Sequence, residues 1–260
     1  MVGAVLTGKK SSIFKREGDP LYFFVHVHKT AGTFFLHRVV YQNFEAREIL
    51  AEVRVKGFKK RLKSFHRFAY GHVAYGIHWF TYRPVIYLTF LRHPVDRAIS
   101  HYYFIRQCDP RFCRHDRYEY AMSMDLLTFY RQPRFQNEMT MMLAGIPWHK
   151  LQRCIAHPVW RQWALRRACY NLKTQFACFG LQERFEESLQ LFAHTFGWKI
   201  SPENVQVKQT RSRPRLEEVP PAIYRKLAEL NDLDMVLYRY ACRLFDRHIQ
   251  QLSCSLTYWS

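Results

Sequence analysis

The 260-residue chain carries 40 Lys and Arg against 21 Asp and Glu, a formal charge of +19. Its 48% hydrophobic content is ordinary for a globular protein with a real core, and no apolar run approaches the ~20 residues of a membrane-spanning helix. The charge excess draws anions inward without choosing among a nucleotide, an acidic glycan, a nucleic acid and a membrane surface.

The cysteines, at 108, 113, 154, 169, 178, 242 and 254, are odd in number and scattered, with no paired CxxC motifs to suggest zinc. Cys108 and Cys113 are close enough in sequence to pair across a short loop, but a set of this kind reads as reduced thiols. Before Lys9 and Lys10 there are only five consecutive apolar residues, too few for a signal-peptide core or an anchor. The chain therefore reads as cytoplasmic, with no membrane span.

Residues 1–20 are a polar lead-in, residues 21–250 a single domain, and residues 251–260 a tail. Leu21 to Val27 (LYFFVHV) is a short aromatic and β-branched run, the pattern of a buried strand. HKTAGT follows as a tight loop, then a helix through FFLHRVVYQNF. Residues 54–67 hold seven cations and no acid. Gly71 and Gly76 punctuate the next stretch, which reads as a connecting loop. Val85 to Leu91 (VIYLTFL) is a second strand, closed by Arg92-His93-Pro94. Pro94 suits a first helical position, where its missing N–H costs nothing, and the helix runs through VDRAISHYYFIR.

Residues 108–118 form a basic loop. Residues 121–144 read as one Met-rich helix and 158–174 as another. Phe176 to Leu181 is a third strand, followed by a helix from Glu183 to Phe196 capped by Gly197. Residues 201–219 are a charged loop, and helical spacing continues from Pro220 to about Gln250. Strands separated by helices imply crossover units and a mainly parallel α/β sheet with a helical C-terminal part. Ligands bind such sheets at the carboxyl ends of the strands.

Three stretches near that edge carry chemistry. In His28-Lys29-Thr30-Ala31-Gly32-Thr33, backbone N–H groups and a helix N-terminus can hold an anion. Lys29 adds charge, Thr30 and Thr33 add hydroxyls, and Gly32 permits close approach. The plain structural alternative is a βα turn capped by Thr30 or Thr33. The loop is not a Walker A motif, because the first Gly and the Gly-Lys-Ser/Thr order are absent. Arg92, ending a strand, can fork onto a phosphate, and Ser100 in the following helix can add a hydroxyl; the alternative is a capped helix with a surface Arg. His72 stands between these stretches in YGHVAYG, and an imidazole near neutral pKa suits general-base work. The plain alternative is a hydrogen-bonding loop residue, and His78 is a reserve candidate.

FVHVHKTAGTFF resembles the phosphosulfate-binding loop of the carbohydrate sulfotransferases related to the heparan and uronyl 2-O-sulfotransferases. In that family a Pro usually stands where this chain has His28. TFLRHPVDRAISHYY is similar to the family's second fingerprint, with His93 in place of its common Asp. The Gly71-His72 pair resembles the segment that carries the family's proposed general base, although Tyr70 replaces a second histidine of the uronyl enzymes. YNLKTQFACFGLQERFEESLQLF resembles the family's third strand and helix, so the likeness runs from about residue 21 to 245.

The resemblance implies a P-loop-NTPase-like sheet and transfer of a sulfuryl group from 3′-phosphoadenosine 5′-phosphosulfate (PAPS) to a hydroxyl of a carbohydrate or glycan, without a metal. It assigns the phosphosulfate to Lys29, Thr30, Ala31, Gly32, Thr33 and Phe34, with Lys29 favouring departure of the nucleotide phosphate. Arg92 and Ser100 take the 3′-phosphate, His72 is the base, and a loop with Arg211 and Arg213 closes over the nucleotide. The residue 54–67 run and Arg111, Arg114 and Arg117 are candidates to line an acidic acceptor groove, against a simple solvated basic face. A basic nucleic-acid-binding module is the competing reading, but it needs no Lys29, His72, Arg92 and Ser100 in this order. A kinase would need a true Walker A and magnesium ligands. No nucleic-acid partner is expected, and the oligomeric state is unreadable.

Overall fold

A computed structural model describes residues 18–108, 117–147, 150, 156–202 and 213–257. Five strands, β1 (Leu21–Val25), β2 (Ile49–Leu50), β3 (Phe68–Gly71), β4 (Val85–Leu91) and β5 (Phe176–Leu181), form one parallel sheet in the order β2-β3-β1-β4-β5. The central strand β1 is almost wholly apolar, and Leu21, Phe23, Phe24 and Val25 are fully buried, as a parallel strand covered on both faces requires. β1, β4 and β5 fall where the hydrophobic runs predict them. β2 and β3 do not: Tyr70 and Gly71 end a strand rather than lying in a connecting loop. Gly71 is there for space, since a Cβ would lie 2.5 Å from the Val53 carbonyl oxygen.

Alternation divides the aromatic core between two faces. Phe24 and Phe90 point to one side, where they meet Phe35 and Phe192. Phe35 belongs to α1, which runs from Gly32–Phe35 through a π turn at Leu36–Val40 to Tyr41–Asn43. Phe23 and Tyr87 face the other side, with Phe23 against Phe58 of the short α2 (Phe58–Arg61). α3 (Pro94–Gln107) starts on Pro94 as predicted. The stretch predicted as one Met-rich helix is broken into α4 (Tyr118–Ser123), α5 (Leu126–Arg131) and α6 (Glu138–Ala144). The breaks fall at Asp125, which caps α5 by accepting from the Thr128 N–H, and at Pro133 and Asn137, the latter left-handed at φ 52°.

α7 (Pro158–Thr174) and α8 (Phe185–Phe196) agree with the sequence, α8 ending on left-handed Gly197. The C-terminal helical stretch is two helices, α9 (Pro221–Leu230) and α10 (Asp232–Thr257). Val95, Ile99, Tyr102, Phe129, Tyr130 and Leu227 form a second apolar cluster among α3, α5 and α9. Among the described residues no helix is long and apolar enough to cross a membrane.

The basic run at 54–67 does not make one surface. β2 ends at Leu50, and the Val53 N–H bonds the Tyr70 carbonyl at the carboxyl edge of the sheet. α2 then carries the chain back, and Arg83 stitches residues 63–66 to the opposite edge through the carbonyls of His66 (2.7 Å) and Asp19 (2.8 Å).

Candidate active site

The parallel register sets Val25 beside Gly71 on one side and Thr89 on the other. The segments that follow, residues 26–33, His72 and Arg92, therefore leave the sheet together at its carboxyl edge.

The first loop is held in an uncommon backbone form. Lys29 (φ 63°) and Ala31 (φ 66°) are both left-handed without being glycine, conformations that persist only where the surroundings impose them. Thr30, fully buried between them, donates its hydroxyl to the Val27 carbonyl at 3.0 Å, and Arg92 donates to the Lys29 carbonyl at 3.0 Å. The capping alternative is corrected: Ala31 occupies the N-cap with no side-chain bond, so neither Thr30 nor Thr33 caps the helix. Thr33 is exposed, and Phe34 is half-buried with its ring edge-on to Phe185. Gly32 has a role beyond ligand approach: a Cβ there would fall 2.3 Å from the His26 ring.

Cations converge on this loop. Arg92, 7% exposed, puts Nε and Nη2 on Asp96 at 2.8 and 2.5 Å, and Arg213 reaches the other Asp96 oxygen at 2.5 Å. Lys29 Nζ lies 4.1 Å above the Phe104 ring, a favourable cation–π position. Burial first, then Arg92 and Arg213, push the Lys29 ammonium down to about 8. Arg92 and Arg213 thus share the Asp96 carboxylate while Lys29 stands close enough to feel both arginines, leaving a partly buried excess of positive charge suited to an anion of more than one charge. Ser100 is buried one helical turn beyond Asp96. Arg211 lies outside the described residues, as do Arg111, Arg114 and Cys113.

Beside the cations stands a column of rings that the sequence did not disclose. His26 stacks on His72 (centroids 4.5 Å apart), His72 on His28 (3.7 Å, planes within 11°), and His28 on His101 (5.3 Å). His72 Nδ1 lies 2.6 Å from the His26 carbonyl oxygen. Only a donor satisfies a carbonyl, so Nδ1 carries the proton and Nε2 is the basic nitrogen. Burial, then the His28 and His26 rings, hold the His72 pKa well below the ordinary histidine value. Burial also drives His26 down to about 3, and its Nδ1 has no hydrogen-bond partner among the described residues.

Below the column lies a buried ionic group. His28 Nδ1 bonds the Glu138 carboxylate, whose other oxygen takes Arg97 at 2.8 Å. Asp234 stands 3.9 Å from Arg97, and all three charged residues are fully buried. Despite burial, His28 and Arg97 hold the Glu138 carboxyl well below its ordinary range. Arg117, offered by the sequence as a groove residue, faces His101 Nε2 at 3.4 Å.

Among the described residues the side chain of His93, where the resembling family has Asp, pairs with no carboxylate. Its backbone N–H donates to Glu183 at 2.7 Å, and its Nε2 lies 3.3 Å from the Tyr224 hydroxyl. The reserve base His78 is set apart: it bonds the hydroxyl of Tyr87, the third residue of β4, toward the opposite edge of the sheet. Sequence reasoning missed Asp96, His26, His101 and Glu138. Asp96 lay inside the second fingerprint in plain view, whereas Glu138 is 110 residues from His28 and carries no local signal. Among the described residues no group of three or more His, Cys, Asp or Glu is arranged to hold a metal ion.

A profile of the sulfotransferase family matches residues 14–241, most of the chain. Human heparan-sulfate 6-O-sulfotransferase 1 is 28% identical over 294 aligned positions, covering 93% of this chain and 69% of its own length. Zebrafish heparan-sulfate 6-O-sulfotransferase 2 is 28% identical over 188, covering 65% and 40%. A crystal structure of mouse sulfotransferase SULT7A1 complexed with PAP aligns over 88% of this chain and 90% of its own at 14% identity and a TM-score of 0.45, too distant to add to the fold described above. The two heparan-sulfate relatives are named as 6-O enzymes, and the resemblance to the family holds.

Proposed function

The chain belongs to the sulfotransferase family, and from that premise we propose that this edge of the sheet moves a sulfuryl group from PAPS to a hydroxyl of a glycan. The observation that carries the reading is the meeting of two unlike devices at adjacent strand ends. One is the cluster of Lys29, Arg92 and Arg213, whose two arginines share Asp96; the other is His72, oriented by the His26 carbonyl.

PAPS supplies the activated sulfuryl group and carries phosphates at both ends of its ribose. Lys29 and the loop amides suit the 5′-phosphosulfate, and Arg92 with Ser100 suits the 3′-phosphate. As the sulfur–oxygen bond to the nucleotide breaks, charge grows on the leaving phosphate, and the Lys29 ammonium opposes it. The acceptor oxygen forms its bond to sulfur from the opposite side, and its proton passes to His72 Nε2. The depressed proton affinity of His72 keeps that nitrogen open near neutral pH, and a bound polyanion counters the depression. The same residues speak against a nucleic-acid module, which would present its cations outward, whereas Arg92 is buried.

The glycan acceptor is supported by the relatives, whose names specify heparan sulfate. The formal charge of +19 suits an anionic chain. Calorimetric titration with 3′-phosphoadenosine 5′-phosphate, without added metal and with adenosine monophosphate as control, tests the donor site. Binding that depends on the 3′-phosphate is the expected result. Equal affinity for the two nucleotides would remove the assignment of Arg92 and Ser100.

A further inference from the structure

His28 is the one residue that belongs to both the anion loop and the ring column. It precedes Lys29 directly, its ring lies 3.7 Å from that of His72 at an angle of 11°, and its Nδ1 is tied to buried Glu138. The tie is rigid, because Glu138 is fixed in turn by Arg97 and by its place in α6. Left-handed Asn137, just before Glu138, accepts the N–H groups of Leu233 and Asp234 at 3.0 and 3.1 Å, and Asp234 accepts those of Met139 and Thr140. A chain of buried bonds therefore runs from the start of α10, through α6, to the imidazole packed against the proposed base. A metal is a poor occupant for the column, since parallel stacked rings aim their nitrogens side by side rather than at one point.

We propose that His28, seated on Glu138, is a positioning residue of the sulfuryl-transfer site, one that fixes the plane of the His72 ring and keeps that ring in its proton-accepting form. This rests on the reading of His72 as the base.

Two physical effects act together. His72 has three restraints: the His26 ring on one face, the His28 ring on the other, and the bond from Nδ1 to the His26 carbonyl. Without the His28 ring one face opens and Nε2 loses its fixed aim, and misplacement of a reacting group by about 1 Å costs ~100-fold. The second effect is electrostatic. The titratable groups around His72 are His26, His28 and Glu138; those around His28 are His72, His101, Lys29 and Glu138, with Arg97 behind the carboxylate and Arg117 beyond His101. The two neighbouring rings lower the proton affinity of His72, and Glu138, farther away, raises it. Removing the His28 ring lifts one of the lowering effects, so His72 accepts a proton at higher pH.

His28→Asn is the informative variant. The Asn amide nitrogen falls where Nδ1 was and keeps a donor for Glu138, while the outer half of the ring is gone. Three measurements go together: calorimetric binding of 3′-phosphoadenosine 5′-phosphate, kcat and KM from pH 5.5 to 9 with PAPS and a heparan-type acceptor, and the same for His72→Ala. The expected result is nucleotide binding within about twofold of wild type, kcat lower by ~10–100-fold, and the acid limb of kcat/KM displaced toward neutral pH. A fall in kcat with an unmoved acid limb would mean that His28 only packs. If His28→Asn does not fold, His28→Gln, with its longer donor, is read against the same two criteria. Near-normal turnover in His72→Ala would overturn both the base and the inference; lost turnover there with an unmoved limb in the His28 variants overturns the inference alone.

Discussion

Lys29 illustrates how much one position decides. Its left-handed backbone sets the loop, its ammonium lies 4.1 Å over Phe104, and burial with Arg92 and Arg213 brings its pKa to about 8. An anion bound nearby prefers the ammonium, so nucleotide affinity should be flat below about pH 8 and fall as pH rises through that value. The fall is limited to ~10-fold per pH unit for one linked proton. Titrations at pH 7 and 9, each in two buffers of different ionisation enthalpy, will show proton uptake on binding only at the higher pH, and Lys29→Met should abolish it. Constant affinity across this range would place the anion away from Lys29. This residue was legible from sequence because its motif is local: strand, Lys, Gly, helix. Arg92 was legible for the same reason. What could not be read is that Arg92 and Arg213 share Asp96, because Arg213 is 117 residues away from it.

At the scale of elements, long apolar runs announced themselves and short ones did not. β1, β4 and β5 and the helices at 94–107 and 158–174 lie at or near their predicted positions, each long enough for its period to show. β2 has two residues and β3 four, and β3 follows a basic run and ends at Gly71, just before His72, so neither length nor pattern signals a strand. The joint between α6 and α10 was equally silent, since it is made by side chains nearly 100 residues apart. There Asn137 and Asp234 satisfy the first N–H groups of each other's helix, which would otherwise be buried without partners. Asn137→Ala deletes the one oxygen that accepts both the Leu233 and Asp234 N–H groups and leaves alanine in a left-handed conformation. A loss of ~2–4 kcal/mol is expected, measurable as a lower urea midpoint with unchanged m-value. Because α6 carries Glu138, nucleotide binding should survive better than turnover; equal losses of both would detach the joint from the site.

Across the whole molecule, the uneven placement of charge matters more than its total. The chain carries a formal +19, yet Arg38, Arg92 and Arg97 are buried, and the basic run at 54–67 divides between opposite edges of the sheet. The interior holds a different set of titratable groups: His26 driven to about 3 and His72 and His101 well below the ordinary value, each chiefly by burial. His66, His93 and His248 are displaced the same way. For a histidine with a lowered folded pKa, the unfolded chain binds the proton first. Stability is then complete above the unfolded value of about 6.5 and declines as pH falls below it, by ~1.4 kcal/mol per pH unit for each ring. Glu138, also lowered, adds a loss only in the carboxylate range, while Asp234, raised by burial, acts in the opposite sense there. Between pH 6.5 and 5 the histidines therefore act nearly alone. Urea unfolding at pH 7.5 should give the same midpoint as at pH 7, whereas at pH 5 it should be markedly lower, with a slope corresponding to about two to three protons. His101→Gln, which removes one buried ring from the column, should reduce that slope by about one proton. An unchanged midpoint from pH 7 to 5 would mean that the rings are already solvated, and a site built on a neutral His72 could not then stand.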